Sequence, residues 1–453
     1  MGAFHAYDIR GVYGVDFDAK TAYKVGYFLP ELLSADKVLV GRDCRLSSDE
    51  IHRNLIAGIT DAGADVYDLG LSTTPMVYFG TARYGFEASV QITASHNPAE
   101  YNGMKVSSAN ALPVGLDNGL GQIRDWIDTG RECPVCDRRG QVHEMDIRKE
   151  YVEFLLGYKE DLSGLKIAMD LSNGMSSLLA KDIFGDAPEY IFDTMDGSFP
   201  NHEPNPLVPA NVVPLQELVR KVKADIGVIY DGDADRVMFV DENARFVSPD
   251  LMIAVLGHYF LEKRGEKGIV LQDIRSSKAV GEYLEPMGAE MRTWKVGRAF
   301  AARKLREIDG VYGGELAGHY YFRDFFYSDS GLLASILILD VVAEMKAKGI
   351  SLGQLIDRIE KYRNSGEINF RVEDKAGAMD AVRDHFISAE KPTAYMDFDG
   401  YRVEYPDWWF NIRPSNTEPY LRFICEAVSD SLLKEKVEEV KNLLHSRFGA
   451  VLG

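Results

Sequence analysis

A chain of 453 residues, 46% hydrophobic and 27% charged, has the make-up of a globular protein with sizeable cores, and its length predicts three or four domains. Its net charge of −19 argues against nucleic acid or an anionic membrane as a partner, yet leaves room for a small anion held by local cations, because a diffuse field is screened within about 10 Å. No apolar run approaches the roughly 20 residues of a membrane span, Met1 to Asp8 lacks the basic and apolar regions of a signal peptide, and four cysteines are too few for a disulfide framework, so the expected location is a reducing cytoplasm.

Tyr7-Asp8-Ile9-Arg10-Gly11 reads as a short polar segment. A helix is expected from about Asp18 to Leu33. A short buried strand, Lys37 to Gly41, then leads into Arg42-Asp43-Cys44-Arg45-Leu46-Ser47-Ser48. Ile51, Leu55, Ile56 and Ile59 recur at helical spacing over Asp49 to Ala62, and Ala64 to Leu69 is again a strand. The apolar run Phe86 to Ile92 ends in Thr93-Ala94-Ser95-His96-Asn97-Pro98. Proline cannot extend a strand ladder, so a small polar loop follows a buried strand, with one hydroxyl and one imidazole at its tip. For a lone Ser–His pair, an ordinary turn is the plainer reading. Lys105 could neutralise charge at Ser95, or move a proton if its pKa is lowered; alone it reads as a solvated lysine. Cys133-Pro-Val-Cys136, with His143 nearby, lacks the second ligand pair of a zinc site and reads as a loop.

The strand–loop–helix pattern returns. Lys166 to Asp170 leads into Leu-Ser-Asn-Gly-Met-Ser-Ser177, and Gly268 to Asp273 into Ile-Arg-Ser-Ser277. Each is an apolar strand, an Asp and a serine-bearing loop, as at Val38 to Ser48. Alternating strands and helices imply βαβ units. The expectation is an α/β fold of three related domains with mixed, mainly parallel sheets, followed by a smaller C-terminal α+β domain. The boundaries expected near 145, 248 and 362 give segments 1–145, 146–248, 249–362 and 363–453. The last contains strands at Ser365 to Val372, Tyr401 to Tyr405, Trp408 to Arg413 and Tyr420 to Glu426, then an amphipathic helix, Leu432 to Phe448.

Three loops carry candidate chemistry. Asp231-Gly-Asp-Ala-Asp-Arg236 follows the apolar strand Ile226 to Tyr230. Its three carboxylates would raise one another's pKa unless a cation sits among them, and oxygen ligands in this number suit Mg²⁺ or Ca²⁺. An EF-hand is excluded because its sixth position should be glycine and is Arg236. A phosphatase using Asp231 as nucleophile and Asp233 as acid also fits this loop. Gly313-Gly-Glu-Leu-Ala-Gly-His319 is a glycine-dense loop whose Glu315 and His319 can bond sugar hydroxyls. In Arg413-Pro-Ser-Asn-Thr-Glu-Pro-Tyr-Leu-Arg422, two guanidinium groups flank the donors of Ser415, Asn416 and Thr417, a composition suited to phosphate.

With the Ser95 loop, these segments resemble, in this order and over essentially the whole chain, the four motifs of the α-D-phosphohexomutases. Four long motifs in order set aside the phosphatase reading. The resemblance implies four domains around a central cleft, each contributing one loop. Ser95 would be the phosphoserine, and Asp231, Asp233 and Asp235, with an oxygen of that phosphate, would hold Mg²⁺. His96, Lys105, Arg10 and Arg236 would complete the catalytic group. Tyr7, Lys295, Arg298, Glu315 and His319 would contact substrate, while Arg413, Ser415, Asn416, Thr417 and Arg422 would clamp its non-reacting phosphate. A hexose 1,6-bisphosphate would act as activator, the substrate would be a phosphorylated hexose, and the chain would be a monomer or weak homo-oligomer. Tyr321 to Gly331 and Ser365 to Asn369 look like the phosphomannomutase and phosphoglucomutase branch rather than the glucosamine branch. Two positions depart from the pattern. Ala317 stands where that branch has serine, and Arg298 where many members have histidine, so a proton-shuttle role at 298 is not expected.

Overall fold

Asp43, Asp170 and Asp273 each close or directly follow a buried strand, and each carboxylate accepts a hydrogen bond from the amide two residues on: Arg45 N at 3.0 Å, Ser172 N at 2.8 Å and Arg275 N at 2.7 Å. Such a turn redirects the chain from strand to helix without leaving a buried amide unpaired. The recurring strand, Asp and serine loop of the sequence is therefore a recurring piece of structure. In the computed structural model, which describes residues 2–415 and 420–453, it opens each of the first three α/β units.

The first sheet runs Ile9–Val12, Tyr101–Ser108, Ala88–Ile92, Lys37–Arg42, Asp65–Leu71, Val142–Glu144, with Leu112–Val114 added beside Tyr101–Ser108. The second runs Phe246–Val247, Val237–Asp241, Ile226–Tyr230, Ile167–Asp170, Glu189–Ile191, and the third Ala289–Trp294, Gly268–Asp273, Tyr312–Gly314, Tyr320–Phe322, Ser328–Asp329. All three are mixed. Parallel pairs, such as Lys37–Arg42 with Ala88–Ile92, lie beside the Asp-ending strands. Antiparallel pairs fill one flank of each sheet. The fourth sheet is antiparallel throughout, from Ala394–Met396 to Val451–Leu452, and packs beneath the helices Lys375–Ala389 and Asp430–Phe448.

Most boundaries fall within two residues of expectation. The helix Ala19–Leu33 starts where Asp18 accepts from Thr21 N, as an N-cap should. Tyr7 to Gly11, read as a polar segment, instead feeds the edge strand Ile9–Val12, with Arg10 opposite Gly103. A four-residue strand buried at alternate positions is too short to announce itself by periodicity. Cys133 and Cys136 lie in a loop, and among the described residues neither joins a metal-ligand group. No helix among the described residues is long and apolar enough to cross a membrane.

One hydrophobic cluster runs through the first three units, from Leu39 through Met169 to Leu337. Its central helix, Gly331–Ala347, is buried around most of its circumference, which is why its sequence is apolar on all sides rather than along one stripe. The fourth unit has its own core of Phe410, Phe423 and Val440 and joins the third through polar contacts. Arg402 stacks 3.8 Å over Trp409 and donates to the carbonyls of Ile274 and Ser276. Glu426 accepts from Ser277 Oγ at 2.7 Å, Trp409 Nε1 at 2.7 Å and Asn364 Nδ2 at 2.8 Å.

Burial, helped by Asp250, pushes the Glu426 carboxyl up to about 7. The folded protein thus keeps a proton there over a pH range in which the unfolded chain has lost it. Stability should fall as pH rises from the ordinary glutamate range to about 7 and then level off, a contribution on the order of 3 kcal/mol. Glu426→Gln, uncharged throughout, should flatten this slope, as urea titrations across the range would measure.

Candidate active site

The serine loop is built from the end of the fully buried strand Ala88–Ile92. Thr93 Oγ1 accepts from Ser95 N at 2.9 Å, and Asn97 N donates to Ala94 O at 3.0 Å. Ser95 itself has φ 51°, in the left-handed region, a conformation that non-glycine residues hold only when their surroundings over-determine it. Its Oγ donates to Asp231 Oδ2 at 2.8 Å, and His96 Nδ1 lies 3.4 Å from the same oxygen. Desolvation, then the neighbouring cations Arg236, Arg10 and Lys105, lower the His96 pKa well below its ordinary value, so the imidazole is neutral.

The acidic loop reaches this turn from the second unit, between the antiparallel strands Ile226–Tyr230 and Val237–Asp241. A Cβ at Gly232 would sit 2.5 Å from Ser95 O, so only glycine allows the two loops to meet. Asp231, Asp233 and Asp235 are completely buried, and each places an oxygen within 4.8 Å of the others. Burial, then Asp233 and Asp235, raise the Asp231 pKa well above the usual carboxylate range. At Asp235 burial acts in the same direction, but Lys105 outweighs it and the pKa is lowered.

Lys105 is buried, not solvated as its sequence context suggested. Its ammonium bonds Asp233 Oδ2 at 2.6 Å and Asp235 Oδ2 at 2.5 Å. Burial lowers its pKa, but Asp233 and Asp235 prevail and raise it. The condition for proton transfer by this lysine, a lowered pKa, is therefore not met, and it acts as a fixed positive charge. Asp233 Oδ1 and Asp235 Oδ1 remain buried without a hydrogen-bond partner among the described residues. Three clustered carboxylates with spare oxygens fit a hard divalent cation.

The third unit adds Glu315 and His319, at the two ends of the turn between Tyr312–Gly314 and Tyr320–Phe322. Arg236 Nε donates to His319 Nε2 at 2.8 Å, and His319 Nδ1 bonds Asp329 Oδ2 at 2.6 Å. An arginine only donates, so Nε2 accepts and the ring proton belongs on Nδ1, facing Asp329. Glu315 accepts from Gly297 N at 2.7 Å and Tyr321 Oη at 3.2 Å, and burial raises its pKa. Arg298 donates from Nε to Asp329 Oδ1 at 2.9 Å and stacks 3.8 Å from the centre of the Tyr78 ring. That side chain ties the first unit to the third.

These loops meet at a cavity of about 740 Å³. Of the residues expected at the site, Tyr7, Arg10, His96, Lys105, Asp235, Arg236, Arg298, Glu315, His319, Arg413, Ser415 and Arg422 line it, as does Ala317. Ser95, Asp231 and Asp233 lie immediately behind its wall, linked to it by the bonds above. Lys295 does not line it; its ammonium lies 5.6 Å from the Phe300 ring centroid. Asn416 and Thr417 fall outside the described residues. Arg10 donates to Asn97 Oδ1 at 2.9 Å and pairs with Asp8, and Tyr7 Oη donates to Val296 O at 3.1 Å. Arg413 is buried, and Arg422 pairs with Glu367 at 2.8 Å. The lining has seven Lys and Arg against four Asp and Glu, so a chain of net charge −19 concentrates basic side chains at this cleft.

Four residues of this neighbourhood escaped sequence reasoning. Thr74, at the start of the helix Thr74–Tyr84, donates its hydroxyl to Asp233 Oδ2 and its amide to Asp233 O at 3.1 Å. Asp329 orients His319. Arg275, paired with Asp273 at 2.8 Å, lines the cavity, and Arg45 binds the serine turn from behind. For the two arginines a signal was present: Asp43-Cys44-Arg45 and Asp273-Ile274-Arg275 repeat one pattern at one place in the fold. Thr74 and Asp329 carry no local signal.

The sequence matches four family profiles in order: "Phosphoglucomutase/phosphomannomutase, alpha/beta/alpha domain I" over residues 1–132, domain II over 149–244, domain III over 248–362 and the C-terminal domain over 367–443. It is 36% identical to a phosphomannomutase of Escherichia coli over 461 residues, covering 98% of this chain and 99% of the relative. It is 36% identical to the phosphomannomutase of Methanocaldococcus jannaschii over 446 residues, covering 97% of each. A crystal structure of a phosphoglucomutase/phosphomannomutase family protein from Burkholderia thailandensis superposes with a TM-score of 0.89 at 29% identity, covering 100% of this chain and 99% of that one. With all four domain profiles, full-length relatives and the loops converging on one cleft, the chain belongs to the phosphoglucomutase/phosphomannomutase family of α-D-phosphohexomutases and is a phosphohexomutase enzyme.

Proposed function

We propose that this enzyme interconverts hexose 1-phosphate and hexose 6-phosphate, with mannose and/or glucose as the sugar, through a phosphoryl group carried on Ser95 and a hexose 1,6-bisphosphate that also serves as activator. The observation that supports this most is the Ser95 hydroxyl bonded to Asp231 inside a buried carboxylate cluster with unpaired oxygens, beside a cleft lined by seven Lys and Arg. Mg²⁺ held by Asp231, Asp233 and Asp235, with an oxygen of the phosphorylated serine, would draw charge from the phosphoryl group as it transfers.

The protein's own groups divide the remaining work. Lys105 and Arg10 act as fixed cations beside the serine, since the carboxylates facing them hold both protonated. Neutral His96, next to Ser95 Oγ, is the group able to hold a proton at that oxygen. Glu315 and His319 read the sugar hydroxyls, with His319 oriented by Asp329 and Arg236. Arg413, Ser415, Asn416, Thr417 and Arg422 hold the non-reacting phosphate, and must do so in both orientations, because the bisphosphate turns end for end between its two transfers. Arg298 is committed to Asp329 and Tyr78, so it shapes the wall of the cleft more than it moves protons.

The test is kinetics on mannose 1-phosphate, glucose 1-phosphate and glucosamine 1-phosphate with catalytic hexose 1,6-bisphosphate. Turnover of mannose 1-phosphate, glucose 1-phosphate or both is expected, with glucosamine 1-phosphate at least about tenfold poorer in kcat/KM. The reverse order would move the assignment to a phosphoglucosamine mutase. No turnover of any of the three would favour a sugar-phosphate-binding protein without catalysis.

A further inference from the structure

The Arg45 side chain is fully buried at 0% exposure and does not line the cleft. Its guanidinium collects the backbone carbonyls of the serine turn. Nη1 donates to Pro98 O at 2.6 Å and Tyr101 O at 3.0 Å, and Nη2 donates to Ser95 O at 2.9 Å and Asn97 O at 2.6 Å. Nε lies 3.2 Å from Asp43 Oδ2. From the second unit, the Phe199 ring covers the guanidinium at 4.9 Å, and Gly197 packs so closely that a Cβ there would be 2.5 Å from Arg45 Cα.

A turn that presents a side chain at its tip leaves carbonyls without ladder partners, and buried carbonyls need donors. Guanidinium offers five donors in a rigid planar fork, so one side chain can serve four carbonyls at once, where an ammonium serves fewer and without fixed directions. Burying a cation is costly; here Asp43 offsets the charge as an ion pair, and the guanidinium's hydrogen bonds go to Ser95, Asn97, Pro98 and Tyr101. Arg275 occupies the equivalent place after Asp273 yet lines the cleft. The same Asp-x-Arg turn thus places one arginine at the cleft and the other on the protein's own backbone.

We propose that Arg45 is a positioning residue for phosphoryl transfer: by gripping the carbonyls of Ser95, Asn97, Pro98 and Tyr101 it holds Ser95 in its left-handed conformation with Oγ aimed at Asp231. This rests on the reading of Ser95 as the phosphoryl carrier. Arg45 touches no substrate, so its loss acts on the transfer step rather than on binding.

The test uses the full-length enzyme with Arg45→Lys and Arg45→Ala. It measures kcat, KM for the hexose phosphate, and the rate at which glucose 1,6-bisphosphate phosphorylates the protein, read by intact mass. In both variants kcat and the phosphorylation rate are expected to fall about 10²-fold, the usual effect of an ångström-scale displacement of a reacting atom, with KM nearly unchanged. Added guanidinium ion should restore part of the rate to Arg45→Ala and none to Arg45→Lys. A folded variant with kcat within about threefold of the parent would overturn the proposal. So would a loss that follows the folded fraction by circular dichroism without guanidinium rescue, or failure of both variants to fold, each of which assigns Arg45 to stability alone. Ser95→Ala in the same assay separates the two readings: if it stays active, the serine is not the carrier, whereas if it is inactive while Arg45→Lys is fully active, only the role of Arg45 fails.

Discussion

Ser95→Ala is expected to lose mutase activity by about 10⁴-fold or more while the protein still folds, the scale of loss seen when a nucleophile is removed outright. The substitution takes away one oxygen. Alanine accepts the φ of 51° about as well as serine does, and Arg45, Thr93 and Gly232 continue to shape the turn through its backbone. The hydrogen bond to Asp231 and the longer contact with His96 Nδ1 are lost, about 1 kcal/mol of stability. No neighbour can substitute. His96 is directed at the same oxygen, and Lys105 is engaged by two carboxylates. A coupled assay with hexose 1,6-bisphosphate, alongside thermal melting, checks both halves. Full activity would remove the serine from the mechanism.

Asp233→Asn should show the second-largest effect, and it falls on activity rather than on stability. The change keeps the shape of the side chain but removes one of three buried carboxylates. Divalent-ion-dependent turnover should fall about 10²-fold or more, because a carbonyl is a weaker ligand than a carboxylate and the remaining pair holds the cation less tightly. Stability without divalent ions should change little: Lys105 keeps Asp235, and Asp231 loses one of the two carboxylates that raise its pKa. Adding Mg²⁺ should raise the melting temperature of the parent by mass action and that of the variant much less. Equal Mg²⁺ shifts in both proteins would take Asp233 out of the metal site.

Much of the site could be read along the chain because each of its four loops is contiguous. Ser95, the three aspartates, and Glu315 with His319 each lie on a single turn between recognisable strands, and Arg413 and Arg422 face each other on two paired strands, so residue types and spacing carry the chemistry. The α/β alternation was legible for the same reason, since apolar strands and amphipathic helices leave periodic traces. Lys105 reads as solvated when taken alone and as catalytic only by the resemblance, and the strand Ile9–Val12 reads as a polar segment; in both cases the deciding contacts lie far away in the chain, at Asp233 and Asp235 for the lysine and at Tyr101–Ser108 for the strand.

The linear order of residues determined the secondary-structure alternation, the repeated Asp turns and the residue types of each loop, because these depend on interactions within a few positions. Only tertiary packing decided that Gly232 abuts Ser95, that Lys105 is a buried counter-ion, that Asp329 sets the tautomer of His319, and that of Arg45 and Arg275, alike in sequence, one is buried against the serine turn and the other lines the cleft. The physical reason is burial. An isolated carboxylate, ammonium or guanidinium in water keeps its ordinary charge and partners. Once four units exclude water from one cleft, each charge must take whatever partner the fold brings within hydrogen-bond reach.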